Sequence, residues 1–412
     1  VKESSNLPLF ISKRLSQHRN NSFTKLISKI AIGSVALGVG ALILAFSIFY
    51  GFKEGIEEKL FLHVGHLNVE KFTMNRSKEE PPVNINNSVL YQKRDSLPDM
   101  KNVYTYAHKW GLLKSNEEVS GILIKGLSKD YKVDRWESQM VEGKFPSLEV
   151  AKNGAKELVI SKTMATKMHL KVGDEIIIYF IQQPPKARKM KVSGIYNTGL
   201  EDFDELVAYG DINLVRRLNN WGDSLVGGIE IMANDFDNID NTVEKIDEDY
   251  VDVHLFMRSV KDKYAHFFDW FQMLYNNVWI FLIVIVSVAI FNVVSIMLIL
   301  IMERTAMIGT FKAMGASNDL LQKIFIYDGV RMALKGIIIG NVVGLGFGFL
   351  QNHFQIIPLE ASTYYLDYVP FSFHWEAIIV INLTVIVLTS LSLLIPTSIV
   401  LGISPIKSIK FN

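Results

Sequence analysis

His63 and His66 stand three residues apart, a spacing that can turn two imidazoles toward one metal ion. No further ligand stands near them and the stretch reads as a helix end, so no metal site is expected. Glu201, Asp202, Asp204 and Glu205 offer carboxylates close enough for acid–base work, but four charges in one short segment read as a turn in solvent. The other histidines are scattered, and there is no cysteine, which excludes disulfides, thiolate metal sites and a cysteine nucleophile. Neither G-x-x-x-x-G-K-[ST] nor H-E-x-x-H occurs. The glycine-rich "GLGFGF" at 344–349 lies in a long apolar run and follows no strand, so it is not a dinucleotide loop. No catalytic group, metal or cofactor is expected in this chain.

The chemistry that remains is that of contact. "ERTAMIGTFKAMGAS", residues 303–317, follows about 25 uncharged residues. Met307, Ile308, Phe311 and Met314 share one side of a helix. Gly315 stops that helix, and Ser317 can cap a new one with Asp319 in its first turn, running through Leu320, Leu321, Ile324 and Phe325. The product is a helix–turn–helix elbow. Its apolar stripe can rest on lipid headgroups or dock into a groove of a cytoplasmic protein, and both readings stay open at this point.

The elements around the elbow are membrane spans. Of 412 residues, 49% are hydrophobic, and they cluster into four runs long enough for a bilayer, which needs roughly 20 apolar residues. The expected fold is an integral membrane protein with four transmembrane helices, one plus three, and a large α+β extracytoplasmic domain inserted after the first. The expected segments are a juxtamembrane amphipathic segment (1–29), a first span (30–52), the α+β domain in two subdomains (53–271), a second span (272–302) and the elbow (303–326). A third span (327–354), a short link (355–376), a fourth span (377–403) and a tail (404–412) follow. The first span is too long, and lacks a small-residue cleavage site, for a cleaved signal peptide. Lysine and arginine crowd residues 1–29 and 304–335 and recur in the tail, whereas the link at 355–375 has neither. The positive-inside rule therefore puts both termini and the elbow in the cytoplasm. With 43 basic against 42 acidic residues, no charge excess points to an acidic partner, and no nucleic acid is expected.

Inside the inserted domain, β-rich runs are expected at 67–72, 121–127, 157–161, 174–181, 190–196, 229–233 and 251–256. Helices are expected at 52–64, 162–170, 211–218 and 237–247. Residues 8–27 read as a basic amphipathic helix on the inner membrane surface, or as a plain basic topology signal. Gly336, Gly340, Gly344 and Gly348 repeat every four residues in the third span, forming a groove for another helix of the same subunit or for a dimer seam. Asn292, Asn341 and Asn382 sit within spans and are expected to bond between helices. The uncharged cores of the spans contain no ionisable group, which argues against an ion-coupled transporter.

"MERTAMIGTFKAMGAS" closely resembles the E-R-x-x-x-I-G-x-x-[KR]-A-x-G-A motif of FtsX-like and MacB-like ABC permeases, whose one-plus-three topology is the same. Four further stretches resemble the lipoprotein-releasing permeases of the LolC/LolE type: "SKIAIGSVALGVGALILAFSIFYGFKEGIEEKL", "VGDEIIIYF", "KVSGIYNTGLEDFDELVAYGDI" and "PLEASTYYLDYVPF". The resemblance covers nearly the whole chain. It implies a transmembrane subunit in a bacterial inner membrane with a periplasmic domain, served by a separate cytoplasmic ABC ATPase dimer that supplies ATP and magnesium. It also implies a second permease subunit, identical or paralogous, membrane lipid around both, a lipoprotein substrate and a periplasmic lipoprotein carrier. Glu303, Arg304, Ile308, Gly309, Lys312, Ala313, Gly315 and Ala316 match the motif and, with Met314 and Ser317, would meet the ATPase. Leu42, Phe46, Phe49, Phe281 and Ile285 could line a substrate cavity. In LolC-like members a hook recruits the carrier. Here the connection at 181–189 is short, with Gln183, Pro184, Pro185 and Lys186 as its contact candidates, and a LolE-like partner without a hook stays open. Within the same superfamily, the alternative is a mechanotransmission permease that controls cell-wall hydrolases or drives efflux. A motorless membrane receptor is the reading from a different class.

Overall fold

The computed structural model describes residues 7–17, 22–72, 80–115, 118–148, 156–180, 182 and 184–402. Two compact units emerge. The first comprises Val1–Glu54, Phe271–Leu359 and Tyr368–Asn412, the second Gly55–Trp270 and Glu360–Asp367.

The first unit is built on helices Ser22–Val64, Ala265–Glu303, Asn318–Phe354 and Trp375–Ser392. All four belong to stretches long and apolar enough to cross a membrane. At 1.5 Å per residue, the 43 residues of the first helix reach roughly 65 Å, about twice the hydrocarbon thickness. That helix therefore continues past the bilayer, and its residues from Gly55 onward belong to the second unit. A shorter helix, Leu7–Gln17, leaves Phe10 exposed while Ile11 packs on the membrane core. Arg331 Nη1 of the third spanning helix donates to the Ser12 carbonyl at 3.4 Å.

Small residues set the packing of this unit. A Cβ added at Gly340 would lie 2.6 Å from the Ala36 carbonyl oxygen, and one at Gly336 would lie 2.7 Å from Val35 Cβ. At Gly344 the nearest atom is the Gly40 carbonyl oxygen at 3.2 Å. The glycine stripe is thus filled by the first spanning helix of the same chain, with backbones in near contact as small-residue packing allows. Gly348 instead meets Phe373 and Phe371. The amides form cross-links: Asn292 Nδ2 donates to Ser34 Oγ at 2.6 Å, and Asn341 and Asn382 exchange hydrogen bonds at 2.7 and 3.0 Å. In lipid such groups have no water to turn to, which fixes helix register.

The second unit is α+β. Its strands are β1 (Leu67–Lys71), β2 (Val83–Asn84), β3 (Met100–Lys114), β4 (Val119–Leu127), β5 (Met140–Gly143) and β6 (Glu157–Ser161). They continue with β7 (Glu175–Phe180), β8 (Lys186–Tyr196), β9 (Val207–Asp211), β10 (Leu225–Val226), β11 (Gly228–Ala233) and β12 (Leu255–Ser259). Ten of them form one sheet in the order β12-β1-β11-β3-β4-β9-β6-β8-β5, with β7 pairing β3 and β8. The 15-residue β3 joins its halves: residues 100–106 pair with β11 and residues 112–114 with β7. Two hydrophobic clusters follow. One gathers Leu67, Val69, Ile229, Ile231 and Ile246, the other Ile122, Ile124, Ile160, Ile178 and Val192.

β2, β3, β5, β9 and β10 form where no strand is expected, and one expected strand shifts. β3 was missed, because Lys109 and Gly111 interrupt its apolar pattern. The strand expected at 251–256 forms instead at Leu255–Ser259, with a turn before it.

Candidate functional site

The elbow is built by local backbone chemistry. The second spanning helix ends at Glu303 and a separate helix, Thr305–Ala313, begins two residues later. Its C-terminus closes as a Schellman motif: Ala316 N donates to the Phe311 carbonyl at 2.9 Å and Gly315 N to the Lys312 carbonyl at 3.0 Å. The motif needs a left-handed residue, and Gly315 supplies it at φ +91°. Ser317 then caps the third spanning helix, its Oγ accepting from Leu320 N at 3.3 Å. Asp319 in the first turn meets Lys323 Nζ at 2.6 Å.

The motif residues divide into two sets. Ile308 and Gly309 are buried, and Ile308 packs in the same cluster as Met297, Leu300, Ile301, Leu321 and Phe325. Ala316 and Phe311 are partly buried against that cluster, and Arg304 and Lys312 are half-buried. Glu303, Ala313, Met314, Gly315 and Ser317 are exposed, with Met314 at 68%. The elbow therefore has an anchored inner face and an open outer face of small residues around a projecting methionine. Thioethers adapt well to partner surfaces.

The cavity candidates separate. Leu42, Phe46 and Phe49 are buried within the chain, Phe46 edge-on to Trp279 and Phe49 against Tyr275. Ile285 is half-buried against the membrane core, while Phe281 stays 58% exposed. Val284, Val288 and Phe291 of the same helix are exposed with it.

Of the carrier candidates, Gln183 lies outside the described residues. Pro184 and Pro185 are exposed in the turn between β7 and β8. Lys186 opens β8, and its Nζ donates to Asn220 Oδ1 at 3.1 Å.

Three groups in the second unit went unrecognised in the sequence. Asp204, expected in a solvated turn, is only 1% exposed. Its carboxylate accepts from Thr198 Oγ1 at 2.7 Å, Gly199 N at 2.8 Å and Thr198 N at 3.1 Å. Burial nevertheless leaves its pKa above the usual aspartate value. Because Thr198 Oγ1 donates to Asp204, it must accept from His63 Nε2, 3.0 Å away, and His63 Nδ1 accepts from the Tyr209 hydroxyl. The neighbouring histidine thus belongs to a hydrogen-bonded core relay and not to a metal site; among the described residues no cluster of metal ligands forms. The third group is a buried ion pair, Lys125 Nζ with Glu230 Oε2, the ammonium also donating to the His63 carbonyl. Lone polar residues spaced far apart in sequence leave no motif from which such a pair could be read.

His66 makes the domain sensitive to acid. Its Nδ1 accepts from Ala233 N at 3.0 Å. Burial first, then the charges of Arg135 and Lys101, lower its pKa to about 4. The folded state holds this proton less tightly than the unfolded chain, whose histidine titrates near 6.5, so stability rises with pH between the two values. The contribution is complete above about pH 6.5 and is lost as pH falls to about 4, on the order of 3 kcal/mol in all. Thermal melts of the detergent-solubilised chain should fall between pH 7.5 and 4.5. His66→Asn, which keeps an acceptor without the titration, should lessen that fall, the remainder including His63, whose burial also lowers its pKa; a parallel fall would remove His66 as a source.

The comparisons with known proteins agree with this architecture. The MacB-like periplasmic core domain family matches residues 28–249, and the FtsX-like permease C-terminal family matches residues 279–405. The chain is 23% identical to the lipoprotein-releasing system transmembrane protein LolE of Haemophilus influenzae, over 95% of this chain and 96% of that one. It is 24% identical to LolC of Neisseria meningitidis serogroup B, over 85% and 86%. The periplasmic region of MacB from Actinobacillus actinomycetemcomitans aligns with 51% of this chain and 95% of its own length at 13% identity and a TM-score of 0.36. One span, a periplasmic core and three spans ending in an FtsX-like region place the chain in the MacB-like periplasmic core domain family, as an ABC transporter permease of the LolC/LolE type.

Proposed function

We propose that this chain is the transmembrane subunit of a transporter that extracts lipoproteins from the inner membrane and passes them to a periplasmic carrier. A separate cytoplasmic ATPase provides the work, and a second permease subunit, identical or paralogous, completes the assembly. The observation that carries the reading is the elbow: a short helix anchored by Ile308 between two spans, with Ala313, Met314 and Gly315 open on its other side. A rigid piece tied to two spanning helices can convert a push on its outer face into movement of both.

The energetics demand such a motor. Each methylene of a lipid anchor contributes about 0.8 kcal/mol to membrane retention, so a multi-chain anchor costs tens of kcal/mol to expose to water. Extraction then requires a sheltered apolar path. Phe281, Val284, Val288 and Phe291 offer one wall of that path from this chain, the partner subunit the other. Both termini and the elbow lie in the cytoplasm in this scheme, following the positive charge. The exposed Pro184 and Pro185 turn is the element available to the carrier.

Mass spectrometry of material purified with the chain from gently solubilised membranes tests the proposal. An ABC ATPase and lipoproteins should be recovered together, and Ala313→Glu should lose the ATPase selectively. Recovery of the intact permease with neither class of partner would refute the reading.

A further inference from the structure

The second unit holds a cavity of about 690 Å³ beside the helix Ile212–Leu218, the strand β3 and the turn after β4. That volume falls in the range of small-ligand sites. Its lining is not made for a lipid: among the described residues, Ile85, Leu148 and Ile212 are the aliphatic side chains there. Lys129, Arg216 and Arg217 line it with Asp130 and Asp223, leaving one positive charge in excess. Arg216 is held in place, Nε donating to the Leu225 carbonyl at 2.9 Å and Nη1 to Asn213 Oδ1 at 3.2 Å. A guanidinium fixed in this way loses little freedom when it accepts a further anionic partner. Trp221 N donates to the Arg216 carbonyl at 2.8 Å, which brings a half-buried indole to the same wall.

We propose that this cavity binds a short, extended acidic peptide segment. Side-chain carboxylates of such a segment match the guanidinium forks two oxygens at a time. Its backbone amides suit Asn213 and the two lining carboxylates, and its apolar stems can lie on Trp221. A neutral glycan would leave the one positive charge in excess uncompensated. It would also find one face of the other aromatic, Tyr91, already covered by the Arg94 guanidinium at 4.5 Å. The proposal does not depend on what the membrane unit transports.

The test uses the full chain in detergent and the anisotropy of a fluorescent hexapeptide rich in Asp and Glu. Saturable binding is expected, weakening with salt, and falling at least about tenfold in K129E/R217E, where two charges are reversed. R217K, which keeps the charge but loses the planar fork, should fall between wild type and K129E/R217E. Melting curves check that each variant is folded; if K129E/R217E is not, the milder R217Q gives the same readout. Absence of saturable binding, equal affinity for Lys-rich or neutral peptides, indifference to the charge reversals, or displacement of the peptide by a neutral oligosaccharide would each overturn the assignment.

Discussion

Gly340→Leu should prevent the membrane unit from packing. The added Cβ alone would stand 2.6 Å from the Ala36 carbonyl oxygen and 2.9 Å from Val39 Cβ. The first obstacle is backbone, which cannot rotate away as a side chain can. Both helices must move apart, and the close contacts at Gly336 and Gly344 go with them. Overpacking in a well-filled core costs about 1–3 kcal/mol; here the strain falls on several turns of two long helices, so a loss above about 3 kcal/mol is expected. The same helix supplies the control. Gly346 has nothing within 4 Å of its Cβ position, so Gly346→Leu should behave as wild type. Size-exclusion profiles and thermal stability in detergent read the difference. Equal behaviour of the two variants would show that the stripe does not hold the helices together.

Glu230→Ala should be the most damaging single change in the second unit. Lys125 and Glu230 come from β4 and β11, which flank β3, and their side chains are 4% and 1% exposed. Lys125 also lies 5.0 Å from the centre of the Tyr106 ring. Removing the carboxylate strands a buried ammonium, for which the cost is about 3–5 kcal/mol. At about 2–4 °C per kcal/mol for a unit of this size, the melting midpoint should drop by roughly 10 °C. Gly65→Ala should disturb the same place, because Gly65 has φ +61° and a Cβ there would overlap Glu230 Cγ. The double variant Lys125→Met with Glu230→Met should recover most of the loss, since paired buried charges are often replaceable by apolar residues. A Glu230→Ala midpoint within a degree or two of wild type would contradict this account of the core.

The membrane architecture was legible because lipid imposes a simple code, long apolar runs broken by charge, and because the elbow is governed by local rules. Gly315 and Ser317 do what a glycine stop and a serine cap do in any helix pair. What stayed hidden depended on partners distant in sequence. A glycine every four residues announces a groove but not its occupant, which at Gly336, Gly340 and Gly344 is residues 32–43 of the same chain. Phe46 and Phe281 look alike on a helical wheel, yet one is packed in the core and the other open. Asp204 sits in a run of acids that looks solvated, and only the fold of the preceding Thr198 and Gly199 turns its carboxylate inward. β3 escaped because Lys109 and Gly111 break its apolar pattern. The cavity beside Arg216 is assembled from segments more than 100 residues apart and has no local signature.

In the proposed mechanism, work done outside the chain enters through the open face of the elbow and releases a lipid-anchored protein. The most direct measurement is ATP-dependent release of a fluorescent lipoprotein from proteoliposomes. These would contain the chain with its co-purified partners, and a soluble acceptor would be present. Wild type should release the lipoprotein only with ATP. Ala313→Glu lies on the exposed face, and its charge at a helix C-terminus costs no more than about 1 kcal/mol, so it should fold, melt like wild type and release nothing above background. ATP-dependent release by a folded Ala313→Glu chain at the wild-type rate, or no release by wild type in the full assembly, would contradict the account.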